Sequence, residues 1–143
     1  MSKSMIIAVT AGVLTVATVP GCMRVTGGRG PSDEELINRT LLAWKAGVLA
    51  QDIDKLMALY SESFKSFEAR DKESQAAIMQ YYFDARYLDD AEVGLEGAEI
   101  TIEGDKAKVT GVVLDLTVGE GRYAPTFDLQ KENGAWLIIG GEY

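Results

Sequence analysis

Hydrophobic positions change their spacing several times along the chain. An uncharged apolar run from Met5 to Val19 follows Lys3 and closes in Val19-Pro20-Gly21-Cys22. A membrane span needs about 20 residues, and a run of roughly 15 falls short of it. Met23 to Pro31 holds Gly27, Gly28 and Gly30 and has no periodicity. It reads as a flexible tether spanning roughly 15 to 18 Å. From Ser32 the spacing becomes helical. Ser32 and Glu35 form a capping-box pattern, and Leu36, Ile37, Thr40, Leu41, Trp44 and Val48 recur on one face, which predicts a helix to about Ala50. Asp52 caps a short second helix with Ile53, Leu56, Met57 and Tyr60 inward, and Asp71 caps a third with Ile78, Tyr81, Tyr82 and Ala85 as its stripe. The spacing then changes to that of strands. Ala98–Ile102 alternates, Glu103-Gly104-Asp105-Lys106 turns, and Ala107–Val118 predicts one long strand rich in Val, Leu and Thr. Gly119-Glu120-Gly121 turns again, Tyr123–Lys131 is a third strand, Asn133-Gly134 is a type I′ hairpin signal, and Ala135–Tyr143 closes the chain. Helices followed by an antiparallel meander imply an α+β fold.

The N-terminal segment resembles a bacterial lipoprotein signal peptide. A positive residue, a short apolar core, and then a hydrophobic residue, a small residue and Cys match that pattern at Lys3, Met5–Val19, Val19, Gly21 and Cys22. Residues 1–21 are thus expected to be removed and residues 22–31 to form the lipidated Cys22 and its tether. The resemblance implies a diacylglyceryl thioether on the sulfur and an amide-linked third chain, and stable anchoring takes more than one acyl chain. Cys22 is the only cysteine, so no thiol remains for a disulfide, a redox couple or a thiolate metal site. Met23 stands where many Gram-negative inner-membrane lipoproteins have Asp, so the implied location is the cell envelope, at the outer membrane facing the periplasm in a Gram-negative host.

The remaining 32–143 segment is long enough for one domain with one core. Trp44-Lys45-Ala46, the run Gln51 to Tyr60, Phe64 and Lys72-Glu73-Ser74 resemble the helical half of the nuclear transport factor 2-like superfamily, with its SnoaL-like and ketosteroid-isomerase-like members. Gly104 to Val109 and Asn133-Gly134-Ala135-Trp136-Leu137-Ile138 fall where that family has paired strands and a closing Trp-x-Ile. The resemblance implies helices packed in the concave face of a strongly curved antiparallel sheet, a cystatin-like cone with an apolar cavity. It also implies a homodimer through the sheet. The implied pocket is walled by Trp44, Tyr60, Phe64, Tyr82, Val109, Val113, Phe127 and Trp136, of which Trp44, Phe64, Phe127 and Trp136 also read as packing residues.

Charge narrows the function. The chain holds 14 basic and 22 acidic residues; Lys3 leaves with the signal, so the mature net charge is −9. That opposes nucleic-acid binding and electrostatic adhesion to anionic lipid. Histidine is absent, which removes His-based metal sites, triads and the Asp-His pairs of related enzymes. No metal or cofactor is expected. Asp84, Asp89, Asp90 and Glu92 lack the ordered spacing of a calcium loop, and Gly27-Gly28-Arg29-Gly30 follows no strand and is not a phosphate loop. Carboxylate and tyrosine chemistry remains. Asp115 shares parity with Val109 and Val113, and Glu142 with Trp136 and Ile138, so either faces the cavity if no bulge intervenes. Tyr60, Tyr81, Tyr82 and Tyr87 are candidate hydroxyl donors at its mouth. Three readings follow: a lipid-anchored, non-catalytic domain binding a small apolar ligand or a protein partner; an isomerase- or dehydratase-type enzyme with Asp115 or Glu142 as base and Tyr60 or Tyr82 as oxyanion donor; and a structural accessory subunit.

Overall fold

The computed structural model describes residues 29–117 and 121–142. The apolar run, Cys22, most of the tether, and Gly119 and Glu120 of the expected turn lie outside the described residues. Three helices come first: α1 (Asp33–Ala50), α2 (Ile53–Met57) and α3 (Lys72–Asp84). Each starts at the cap that its sequence provides. Ser32 Oγ accepts from the Glu35 N–H at 3.2 Å while Glu35 Oε2 accepts from the Ser32 N–H at 2.7 Å. Asp52 Oδ1 accepts from the Lys55 N–H at 3.0 Å, and Asp71 Oδ1 from the Ser74 N–H at 2.8 Å and the Ser74 hydroxyl at 2.6 Å. These bonds satisfy backbone donors that the first helical turn leaves open.

In α1 the expected stripe holds, with Ile37, Leu41, Trp44 and Val48 buried. Two helical expectations need correction. Helix α2 ends at Met57, and Tyr60 instead forms an isolated parallel bridge with Ile138. Helix α3 buries Gln75, Met79 and Phe83, with Ile78 and Tyr82 half-buried, whereas Tyr81 is 60% exposed and Ala85 is exposed. The period is right and the phase is off by one residue, because Met79 and Phe83, each one position past Ile78 and Tyr82, meet the core.

Seven strands follow: β1 (Glu92–Gly94), β2 (Glu99–Glu103), β3 (Lys106–Thr110), β4 (Val113–Leu116), β5 (Gly121–Tyr123), β6 (Thr126–Glu132) and β7 (Ala135–Glu142). They form two antiparallel sheets, ordered β1-β4-β5 and β2-β3-β6-β7. Strand β1 has no counterpart in the sequence expectation. The single strand expected over Ala107–Val118 is two, divided at Gly111-Val112, and the one expected over Tyr123–Lys131 is divided at Ala124-Pro125. Both breaks carry the chain from one sheet to the other. Pro125 has no N–H to give a ladder. At Gly111 φ is +75°, and a Cβ there would lie 2.0 Å from the Gly97 carbonyl oxygen, so the bend needs glycine. The Asn133-Gly134 hairpin is as expected, with both φ angles positive at 50° and 83°.

The helices pack against this bent pair of sheets, giving the α+β cystatin-like architecture. Asp33, at the start of α1, accepts from Lys131 Nζ at 2.6 Å and from Trp136 Nε1 at 3.0 Å, and the Thr40 hydroxyl donates to the Trp136 carbonyl at 3.0 Å. These bonds pin α1 to β6 and β7. Beneath it Trp44 meets Phe127 edge-to-face at 4.9 Å, and Tyr60 meets Phe64 likewise at 5.0 Å. With Leu56, Val109, Leu129, Trp136 and Ile138 they form a solid core under the four-stranded sheet.

Candidate functional site

The interior is hollow under the other sheet. A cavity of about 380 Å³ opens between α1, α3 and the β4–β5 hairpin. Helix α1 supplies Trp44 and Val48 and α3 supplies Met79 and Tyr82. The segment after α3 adds Tyr87 and Leu88, and the hairpin adds Leu114, Leu116 and Tyr123. Glu68, from the loop between α2 and α3, lies in the same wall. The walls are mostly apolar, and their polar side chains include three tyrosines and one carboxylate. Tyr82 and Tyr87 stand 6.1 Å apart at 79°, with the more exposed Tyr81 5.9 Å from Tyr82 and 6.3 Å from Tyr87. Burial, followed by the charge of Glu68, raises the Tyr82 phenol above its ordinary value.

Of the eight residues expected to wall the pocket, Trp44 and Tyr82 do so. Tyr60, Phe64, Val109, Phe127 and Trp136 are buried in the solid half. Tyr60 sits too deep to meet a ligand, and its hydroxyl oxygen accepts from Trp44 Nε1 at 3.3 Å. Val113 lies on the opposite face of its strand, and the reason is the break at Gly111. Ala107 and Val109 point inward before it, and Val112 and Leu114 after it, so one extra residue reverses the parity that follows.

That reversal also moves Asp115 to the outer face. It pairs across the sheet with Glu92 and Arg122, and its carboxylate lies 3.5 Å from Arg122 Nε, among residues lining a groove outside the cavity. Glu142 meets the same fate through a second irregularity. Asp128 pairs with Gly140 and Leu129 with Ile138, leaving Ile139 as an extra residue whose carbonyl accepts from the Lys65 N–H at 3.0 Å. Past that bulge Gly141, opposite Phe127, holds the inward position, and a Cβ there would lie 2.1 Å from the Thr126 carbonyl oxygen. Glu142 therefore faces out, opposite Thr126. Neither carboxylate reaches the cavity.

Two acidic residues around the end of α3, Asp84 and Asp89, are held by neighbours. Asp89 accepts from Gln51 Nε2 at 2.9 Å and Arg86 Nε at 2.6 Å, contacts that lower its pKa in that order, and Asp84 accepts from Gln80 at 2.8 Å. Among the described residues, no group of three or more acids is placed to hold a metal ion, and no helix is long and apolar enough to cross a membrane. The outer face of β2-β3-β6-β7, where the resemblance implies a dimer, carries a polar trough with Thr101, Lys108 and Asp128. Sequence reasoning missed Glu68, Met79, Leu88, Leu114, Leu116 and Tyr123. Gly111 inside a strand was the one available signal, since a strand glycine marks a bulge or a close backbone approach. Glu68 lies in an irregular loop, where no periodicity assigns a direction.

No protein-family model and no curated protein matches the chain. Solved structures do resemble it. A cystatin-like protein from Caulobacter vibrioides superposes with a TM-score of 0.64 at 13% identity, over 76% of this chain and 85% of that one. A protein described as a candidate ketosteroid isomerase from Shewanella frigidimarina gives 0.62 at 18%, over 74% and 92%. A nuclear transport factor 2-like protein of unknown function from Shewanella baltica gives 0.60 at 16%, over 76% and 89%. At these identities the similarity establishes the cystatin-like, nuclear transport factor 2-like fold and no activity.

Proposed function

We propose that this chain is a cell-envelope lipoprotein, held to a membrane through Cys22, whose domain binds a small amphipathic molecule without transforming it. The observation that carries the binding reading is the cavity under β1-β4-β5. Its volume of about 380 Å³ is at the small end of the roughly 300 to 1,000 Å³ typical of ligand sites, and its apolar walls with few polar groups are the usual composition. The anchor rests on the pattern of residues 3–22, and in a Gram-negative host it places the domain at the outer membrane, facing the periplasm.

The isomerase or dehydratase reading with Asp115 or Glu142 as base loses support, because a base must come within hydrogen-bond reach of the proton it removes and both residues face out. The binding reading predicts that protein purified gently from its own host carries a small-molecule adduct in native mass spectrometry. That adduct should be absent after Leu114→Trp and retained after Asp115→Asn with Glu142→Gln. An empty wild-type domain would count against a bound ligand. For the anchor, Cys22→Ala should release the protein from the membrane fraction, and continued retention would refute it.

A further inference from the structure

Among the described residues lining the cavity, Glu68 is the only acid and there is no Lys or Arg, and Glu68 is exposed to solvent. The bases near it in the chain are engaged elsewhere. Arg70 lies 3.4 Å from Asp71, Lys72 donates to Glu62 at 2.6 Å, and Lys65 lines the trough on the outside of the four-stranded sheet. Glu68 makes no hydrogen bond or ion pair with the described residues. Beside it stand the near-perpendicular rings of Tyr82 and Tyr87, with Tyr123 across the cavity wall.

We infer that the cavity selects a cationic amphiphile: an ammonium head group held by Glu68 among Tyr82, Tyr87 and Tyr123, with an apolar body against Trp44, Met79 and Leu114. The inference rests on the ligand-binding reading above and adds the ligand's charge to it. Aromatic rings attract a cation through their negative faces, and a quaternary ammonium, which has no N–H to satisfy, suits such a site. Glu68 is exposed to solvent, so its attraction for a cation is screened and adds a modest preference for a cation over an anion to that of the rings. The charge of Glu68, after burial, raises the Tyr82 phenol, which puts that carboxylate within electrostatic reach of the ring. The domain's excess of acids draws cations toward the opening from farther away.

The test uses the full-length protein in nanodiscs with Trp136→Phe, which leaves Trp44 in the cavity wall as the only indole of the chain's two. Its fluorescence is titrated with three benzyl probes that differ in charge: benzyltrimethylammonium, benzyl alcohol and phenylacetate. Benzyltrimethylammonium should bind about tenfold or more tightly than phenylacetate, the scale set by a cation–π contact plus a partly screened ion pair. Glu68→Gln should weaken ammonium binding about fivefold while leaving benzyl alcohol unchanged, and Glu68→Lys should reverse the order of the charged probes. Equal binding of the two charged probes, or an ammonium affinity indifferent to Glu68→Gln, would overturn the inference while leaving a neutral-ligand cavity standing. If none of the three perturbs Trp44, the ligand-binding reading fails with it.

Discussion

The two halves of the interior use the same kinds of residue and end in opposite states. Under β2-β3-β6-β7, Phe127, Leu129, Trp136 and Ile138 are buried in one cluster with Trp44, Tyr60 and Phe64, where rings meet edge-to-face. Under β1-β4-β5, Leu114, Leu116, Met79 and Tyr82 surround a void. Hydrophobicity does not separate them; the path of the backbone does. At Gly111-Val112 and Ala124-Pro125 the strands leave one sheet for the other, and the second sheet stands off from α1 far enough to leave space. Trp44 belongs to both halves, with Phe127 against its ring and the cavity beside it.

The comparison is most directly broken by making the same substitution in each half. Leu129→Ala, at a fully buried position, should cost about 3 kcal/mol through lost burial and a new cavity, whereas Leu116→Ala, at a wall already facing space, should cost about 1 kcal/mol. Urea denaturation of both variants measures the difference, and equal losses would mean the two halves pack alike. Gly111→Ala addresses the bend itself. A Cβ at positive φ, 2.0 Å from the Gly97 oxygen, should cost about 2 kcal/mol and loosen β4, seen as faster amide exchange in Leu114 and Leu116. If Gly111→Ala is neutral, the bend does not depend on glycine. Filling the void should have the opposite sign. Leu116→Phe should raise stability by about 0.5 to 1 kcal/mol in thermal unfolding and abolish ligand binding.

The smallest effect concerns the clasp at the start of α1. The hydrogen bond from Lys131, followed by that from Trp136, depresses the Asp33 pKa. The group therefore contributes stability that is fully present above its unfolded value near 4 and is lost as pH falls through the lower folded value. Wild type should melt above Asp33→Asn at neutral pH, and the two should converge as pH falls through the lowered folded value. A constant gap across that range would show that the clasp does not depend on the carboxylate charge.

Much of the fold was legible because local chemistry specifies it. Ser32, Asp52 and Asp71 cap helices that start where expected, the α1 stripe is buried, and Asn133-Gly134 makes its hairpin, since each of these depends on residues a few positions apart. The chemical vocabulary also came from sequence: no histidine, one cysteine next to a signal-like run, and a surplus of acids. Tertiary structure decided which face each strand residue occupies. Side-chain direction alternates with period two, so one added residue at Gly111 and another at Ile139 turned Val113, Asp115 and Glu142 outward and placed Leu114 and Leu116 at the cavity. It also brought Glu68 beside Tyr82 and Tyr87, a meeting of a loop with a helix and the segment after it that no spacing along the chain encodes. Local bonding sets where elements begin; the accumulated path of the backbone sets what faces what.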